Sequence, residues 1–252
     1  MEFDGLLDAA SAVFVFGGIT LLALAMRLRV DGLRLIYEVS LPLGLVGFLI
    51  GIISMLAAAS NPTQVAPALA IALLTVAYAG GVRILFADTA SLSFATEASS
   101  PLAKASGSAV ILAMMCWAMY AVTGGDVAIY AYPQVALFLG GVAVLLFFVG
   151  RALGENYRSG WAAKLMSIGW LGFLCGVVGG LPHLENPQAL GPAIAFSFMS
   201  LLYTLVVLVL GLIWSPSTMS ARDGSLFLGF GFGAAVSASV VGTLAVLVSV
   251  LA

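Results

Sequence analysis

Gly44–Tyr78 reads GLVGFLIGIISMLAAASNPTQVAPALAIALLTVAY, and Gly169–Tyr203 reads GWLGFLCGVVGGLPHLENPQALGPAIAFSFMSLLY. The two align without a gap. Gly44, Gly47, Phe48, Leu49 and Gly51 fall on Gly169, Gly172, Phe173, Leu174 and Gly176. Asn61-Pro62 falls on Asn186-Pro187, Pro67-Ala68 on Pro192-Ala193, and Tyr78 on Tyr203. Apolar composition alone scatters Leu and Ala matches. It does not put two Asn-Pro pairs, two Pro-Ala pairs and a run of glycines in one register. The pattern is that of a tandem duplication.

Working outward, the chain is 62% hydrophobic and 8% charged, the composition of an integral membrane protein. Its formal net charge of −2 argues against nucleic acid as a partner and leaves the lipid bilayer. Cys116 and Cys175 lie in apolar runs and read as small buried hydrophobes, neither a disulfide nor a metal pair. No cleavable signal peptide is apparent, since Glu2, Asp4 and Asp8 make the N-terminus acidic where a signal would be basic.

Charges divide the chain into eight apolar spans: Ala9–Met26, Val39–Ala59, Val65–Phe86, Ala105–Thr123, Val127–Val149, Leu165–Leu181, Ala189–Trp214 and Leu226–Leu251. Each is long enough to cross a ~30 Å hydrocarbon core as a helix. None alternates as a barrel strand would, so the expected fold is all-α. Arg27, Arg29, Arg34, Arg83, Lys104, Arg151, Arg158, Lys164 and Arg222 all fall on one side, which is therefore cytoplasmic. Both termini and both Asn-Pro loops then face outward. Four spans per half is an even number, so the repeats are parallel, unlike the inverted repeats of many transporters. Residues 1–100 hold the first repeat, 101–126 a linking fourth span, and 127–252 the second repeat. The links Arg27–Glu38 and Arg151–Lys164 are short enough to continue as helix, and Asp88–Lys104 reads as irregular.

Within each repeat, one span carries a stripe of small residues at helical spacing: Ala68, Ala72, Thr75, Ala79, then Ala193, Ser197, Ser200, Thr204. The preceding span offers Gly44, Gly47 and Gly51, then Gly169, Gly172 and Gly176. Small faces let helices approach closely, which is one reading. Hydroxyls lining a narrow ion route is the other, and the two are compatible. Pro67 and Pro192 are expected just inside the outer helix ends, where a missing N–H costs nothing.

The runs Asn61-Pro62…Ala66-Pro67-Ala68-Leu69-Ala70…Thr75…Tyr78 and Asn186-Pro187…Gly191-Pro192-Ala193-Ile194-Ala195…Ser200…Tyr203 closely resemble the last two membrane helices of flagellar stator A subunits. These belong to the MotA/PomA branch of the MotA/TolQ/ExbB superfamily. The resemblance implies an ion-channel-forming subunit of a bacterial inner membrane. Subunits of that kind form a ring, a homo-oligomer, around single-span B-type helices. Each B helix supplies an intramembrane Asp that takes and releases H⁺ or Na⁺. By carry-over, Thr75 and Ser200 are the ion-path hydroxyls, with Ser197 and Thr204 on the same face. Pro67 and Pro192 shape the helix end, beside Asn61-Pro62 and Asn186-Pro187. The chain departs from that pattern in lacking the large cytoplasmic domain, in fusing two halves, and in rotating the helix order of the first half.

No carboxylate falls deep in the spans as drawn, which fits an acid supplied by a partner. Arg83 reads as a snorkelling side chain or as a lock on an inner gate. His183 with Glu185 offers too few ligands for a metal site. Gly229–Gly233, GFGFG, has neither a strand before it nor Lys-Ser/Thr after it, and is no phosphate loop. Nucleophile–base pairs and cofactor motifs are absent from the sequence, so no enzyme and no cofactor beyond the moving ion is expected. A non-conducting scaffold and, more distantly, a small-solute transporter are the competing readings.

Overall fold

The computed structural model describes residues 8–26, 30–57, 62–88, 100–152, 161–180, 182 and 187–214. Among them there are only helices, turns and connecting segments, and no strand. Seven helices follow the first seven apolar runs. The first, α1, covers Ala9–Ala25, its middle Val13–Gly17 wound as a π turn. Then come α2 (Val30–Ala57), α3 (Pro62–Leu85), α4 (Pro101–Thr123), α5 (Pro133–Ala152), α6 (Trp161–Gly180) and α7 (Pro187–Trp214). The eighth expected span, Leu226–Leu251, lies outside the described residues, as do Asn61, Asn186, His183, Glu185 and Gly229–Gly233.

Five stretches are helical, long and apolar enough to cross a membrane: Leu33–Leu56, Pro101–Thr123, Val127–Arg151, Trp161–Gly180 and Ile194–Trp214. Two shorter apolar helices, Ala9–Ala25 and Leu69–Leu85, coincide with the first and third expected spans. Large apolar side chains also cover the outside. Ile84, Leu85, Leu102, Leu137 and Phe148 are all largely exposed, a surface that suits lipid rather than water.

Local chemistry explains the helix ends. Asp8 caps α1 by accepting from the Ser11 amide at 2.7 Å. Ser100 caps α4 in the same way, with Pro101 in the first turn. Helix α4 ends at Gly124, whose φ of 64° is the left-handed conformation glycine adopts without steric cost. Two sequence expectations are corrected by these helix ends. Pro62 and Pro187, not Pro67 and Pro192, open their helices. Pro67 and Pro192 fall in the second turn, where the carbonyls of Thr63 and Gln188 lose their usual N–H partner. The segment before Ala105 is partly helical, because Ser100-Pro101 starts α4 a turn early.

The core is built on α2. In the most apolar 18 residues of Leu33–Leu56, 89% of the residues are buried, against 11% in those of Val127–Arg151. Helix α2 packs most extensively against α3, then against α7, and also touches α4 and α1. Helix α6 forms a second tight pair with α7. Thus α2 and α7 join the two hairpins α2–α3 and α6–α7 into one body. Cys116 and Cys175, expected inside, are both exposed and free. An apolar run does not say which of its faces meets lipid.

The α4–α5 connection is tied to this core by tyrosines. Tyr130, buried in the turn Val127–Tyr130, donates to the Ile50 carbonyl at 3.0 Å. Tyr203 donates to the Tyr130 carbonyl at 2.6 Å and accepts from the Tyr132 amide at 2.9 Å. Tyr203→Phe removes both bonds while keeping the ring. It is expected to cost about 1 kcal/mol, read as a lower Tm in mild detergent, whereas Tyr120→Phe at an exposed position leaves Tm unchanged.

Candidate functional site

The small-residue stripes meet the glycine faces of their neighbours, in matching positions of the two hairpins. In the first, a Cβ built on Gly44 would collide with the Ala79 Cβ and lie 3.0 Å from the Thr75 carbonyl oxygen. One built on Gly47 would stand 2.8 Å from Thr75 Cγ2 and 2.9 Å from Phe14 Cε1. In the second, a Cβ on Gly169 would stand 2.6 Å from Thr204 Oγ1, and one on Gly172 would stand 2.7 Å from Ser200 Cβ and Oγ. Phe138 takes the place of Phe14 beside Gly172, at 3.4 Å. Gly51 and Gly176 are buried as well. Glycine is what lets each pair of backbones come this close.

The four candidate hydroxyl residues are all buried: Thr75, Ser197, Ser200 and Thr204. Three of them turn back on their own helix. Thr75 Oγ1 donates to the Ala72 carbonyl at 2.8 Å, Ser200 Oγ to Phe196 at 2.8 Å, and Thr204 Oγ1 to Ser200 at 2.7 Å. Each hydroxyl proton is thereby spent locally, while the oxygen keeps lone pairs for a further donor or a cation. Pro67 and Pro192 lie two turns before Thr75 and Ser200 on these helices.

Thr75 differs from Ser200 in what adjoins it. A cavity of ≈ 10 Å³, about the room that one water needs, lies between α1, α2, α3 and α4. Ser11, Phe14, Gly47, Thr75, Trp117 and Ala118 are among its walls. Ser11 is buried and donates to the Ile71 carbonyl at 3.3 Å. The π turn begins two residues later, at Val13, an irregularity of the kind often found where helices carry function.

No known protein family, curated protein or solved structure matches the chain. The site is therefore read from its own chemistry.

Groups of three or more metal-ligating side chains do not occur among the described residues. The helix that holds Glu38 begins at Val30, not Val39, so Glu38 lies within the helix rather than at its start. Arg34 Nε bonds Glu38 Oε1 at 3.1 Å, the i, i+4 spacing that puts both on one face. Arg83 reaches across from α3, donates to the Tyr37 hydroxyl at 3.2 Å and stacks over the Tyr37 ring at 4.5 Å. Arg83 is thus turned onto α2. Glu38 Oε2 and Arg83 Nη1 are buried and have no hydrogen-bond partner among the described residues. Reading α2 from Val39 hid this cluster; the Arg34–Glu38 spacing was the available signal.

Proposed function

We propose that the chain is a duplicated, stator-A-like subunit of a bacterial inner membrane, with both termini outside. In this reading it associates with itself and with single-span helices that carry an intramembrane Asp. Together they couple H⁺ or Na⁺ movement to mechanical work or its regulation. The observation that carries the reading is Thr75: a buried hydroxyl oxygen beside a water-sized cavity that it shares with Ser11. A hydroxyl oxygen there would take over part of a cation's hydration or relay a proton from a partner acid. Ser200, Ser197 and Thr204 hold the corresponding face of the second hairpin.

One observation favours a second reading, a non-conducting scaffold. Ser200 and Thr204 wedge onto Gly172 and Gly169 with their protons already donated to α7. Packing alone accounts for them.

The double variant Thr75→Val, Ser200→Ala separates the two. Val keeps the methyl that fills the space over Gly47, and Ala keeps the Cβ over Gly172. Assembly is therefore expected to survive at a cost of about 1 kcal/mol. Ion-driven uptake into membrane vesicles, followed with a pH-sensitive or Na⁺-sensitive dye, is expected to be lost. Unchanged flux in a normally assembled variant sinks the conducting reading and leaves the scaffold.

A further inference from the structure

The α2–α7 contact joins the two hairpins, and both of its faces recur elsewhere among the described residues, where none of them covers these faces. On α2 the side turned away from the glycines carries Val46, Leu49, Ile52 and Ile53, none more than 4% exposed. Their counterparts on α6 in the aligned sequence are Leu171, Leu174, Val177 and Val178, which stand 40% to 61% exposed. On α7 the side away from the hydroxyl stripe carries Phe198, Leu202 and Val209, at most 2% exposed. Their counterparts on α3 are Leu73 and Ile84, 56% and 78% exposed, and Ala77, also exposed. Beside these, Gly80 and Gly81 face open space, where an added Cβ would meet nothing within 4 Å. Two glycines in a helix interior cost stability and are put to no packing use by the described residues.

We infer that the exposed face of α6 docks on the exposed face of α3 in a second copy of this chain, repeating between copies the α2–α7 contact made within one. The occupant follows from the contact already present. A face like that of α6 is covered, within the chain, by a helix like α3, and the described residues leave one of each over. The two open faces differ from one another, so the contact is head-to-tail and propagates from copy to copy. Bulky Leu and Val on α6 meet Ala77, Gly80 and Gly81 on α3, the large-against-small pattern of membrane helix pairs. The register is set too. Tyr130 ties Ile50 of α2 and Tyr203 of α7 to one level. The corresponding level between copies pairs Cys175 of α6 with Tyr78 of α3.

The proposal specifies the surface for the self-association in the functional reading above, and it does not depend on ion movement. Cys116 and Cys175, both exposed, are first replaced by Ala, the smallest change that removes the competing thiols. Leu174→Cys and Ala77→Cys are then placed on separately tagged copies of the full chain and co-expressed. Mild oxidation in the membrane is expected to give a disulfide-linked pair carrying both tags, at several times the yield of a Leu137→Cys, Ala77→Cys control. Equal yields, or no linked pair, overturn the proposed surface. Native mass in mild detergent separates the failures. An oligomer without the cross-link overturns this surface alone, and a monomer overturns the self-association as well.

Discussion

Gly172→Leu is expected to prevent the α6–α7 hairpin from closing, and Gly47→Leu to do the same for α2–α3. At Gly172 even a Cβ would stand 2.7 Å from Ser200 Cβ, an atom fixed to the α7 backbone that no rotamer change can move aside. At Gly47 the obstacles are Thr75 on one side and the Phe14 ring on the other. Leucine adds three further carbons, so the helices must separate. Separation also undoes the contacts one turn away, at Gly169 with Thr204 and at Gly44 with Ala79. Overpacking a close contact costs roughly 1–3 kcal/mol, and a helix pair forced apart over two turns belongs at or above the top of that range. The expected result is loss of the monodisperse peak on size exclusion in mild detergent, or a Tm lowered by many degrees. Gly140→Leu, on α5 with nothing within 4 Å, is the matched control and is expected to behave as wild type. A Gly172→Leu protein with normal Tm would mean the helices are not held this closely.

Arg83→Ala carries the second large effect. Arg83 donates to the Tyr37 hydroxyl, stacks on its ring, and places its charge near Glu38. Among the described residues Glu38 keeps Arg34 once Arg83 is gone, and its second oxygen is already without a hydrogen bond there. A buried carboxylate that loses a neighbouring cation is expensive, so about 2–3 kcal/mol is expected. Arg83→Lys keeps the charge without the planar stacking face and is expected to recover part of the loss. The decisive comparison is Arg83→Ala against Arg83→Ala with Glu38→Gln. If the buried charge is the cause, neutralising Glu38 restores much of the lost Tm. If the double variant is no more stable than the single one, the arginine acts through packing alone.

Much of the fold was legible because a membrane helix has few alternatives. Seven described helices lie where apolar runs of sufficient length predict them. The glycine face and the small-residue stripe were legible too, since period-3.6 spacing in two stretches that align without a gap identifies faces as well as helices. Gly47 with Thr75 and Gly172 with Ser200 meet as that spacing requires. Less legible were details that depend on where a helix begins. Helix α2 extends well before Val39 and brings Glu38 inside, and α3 and α7 open at Pro62 and Pro187, which moves Pro67 and Pro192 into the second turn.

What the sequence determined by itself is the class of the molecule, an all-helical membrane chain, and which pairs of faces are small enough to touch. Both follow from local quantities, hydropathy and side-chain volume at fixed spacing. Only the tertiary structure decided that α2 is the buried centre and α6 is not. Val46 and Leu171 occupy aligned positions and are both plain hydrophobes, yet one is sealed and the other exposed. The physical reason is that lipid tails and protein interior are equally apolar. Hydropathy separates each from water, and only the arrangement of the other helices separates one from the other.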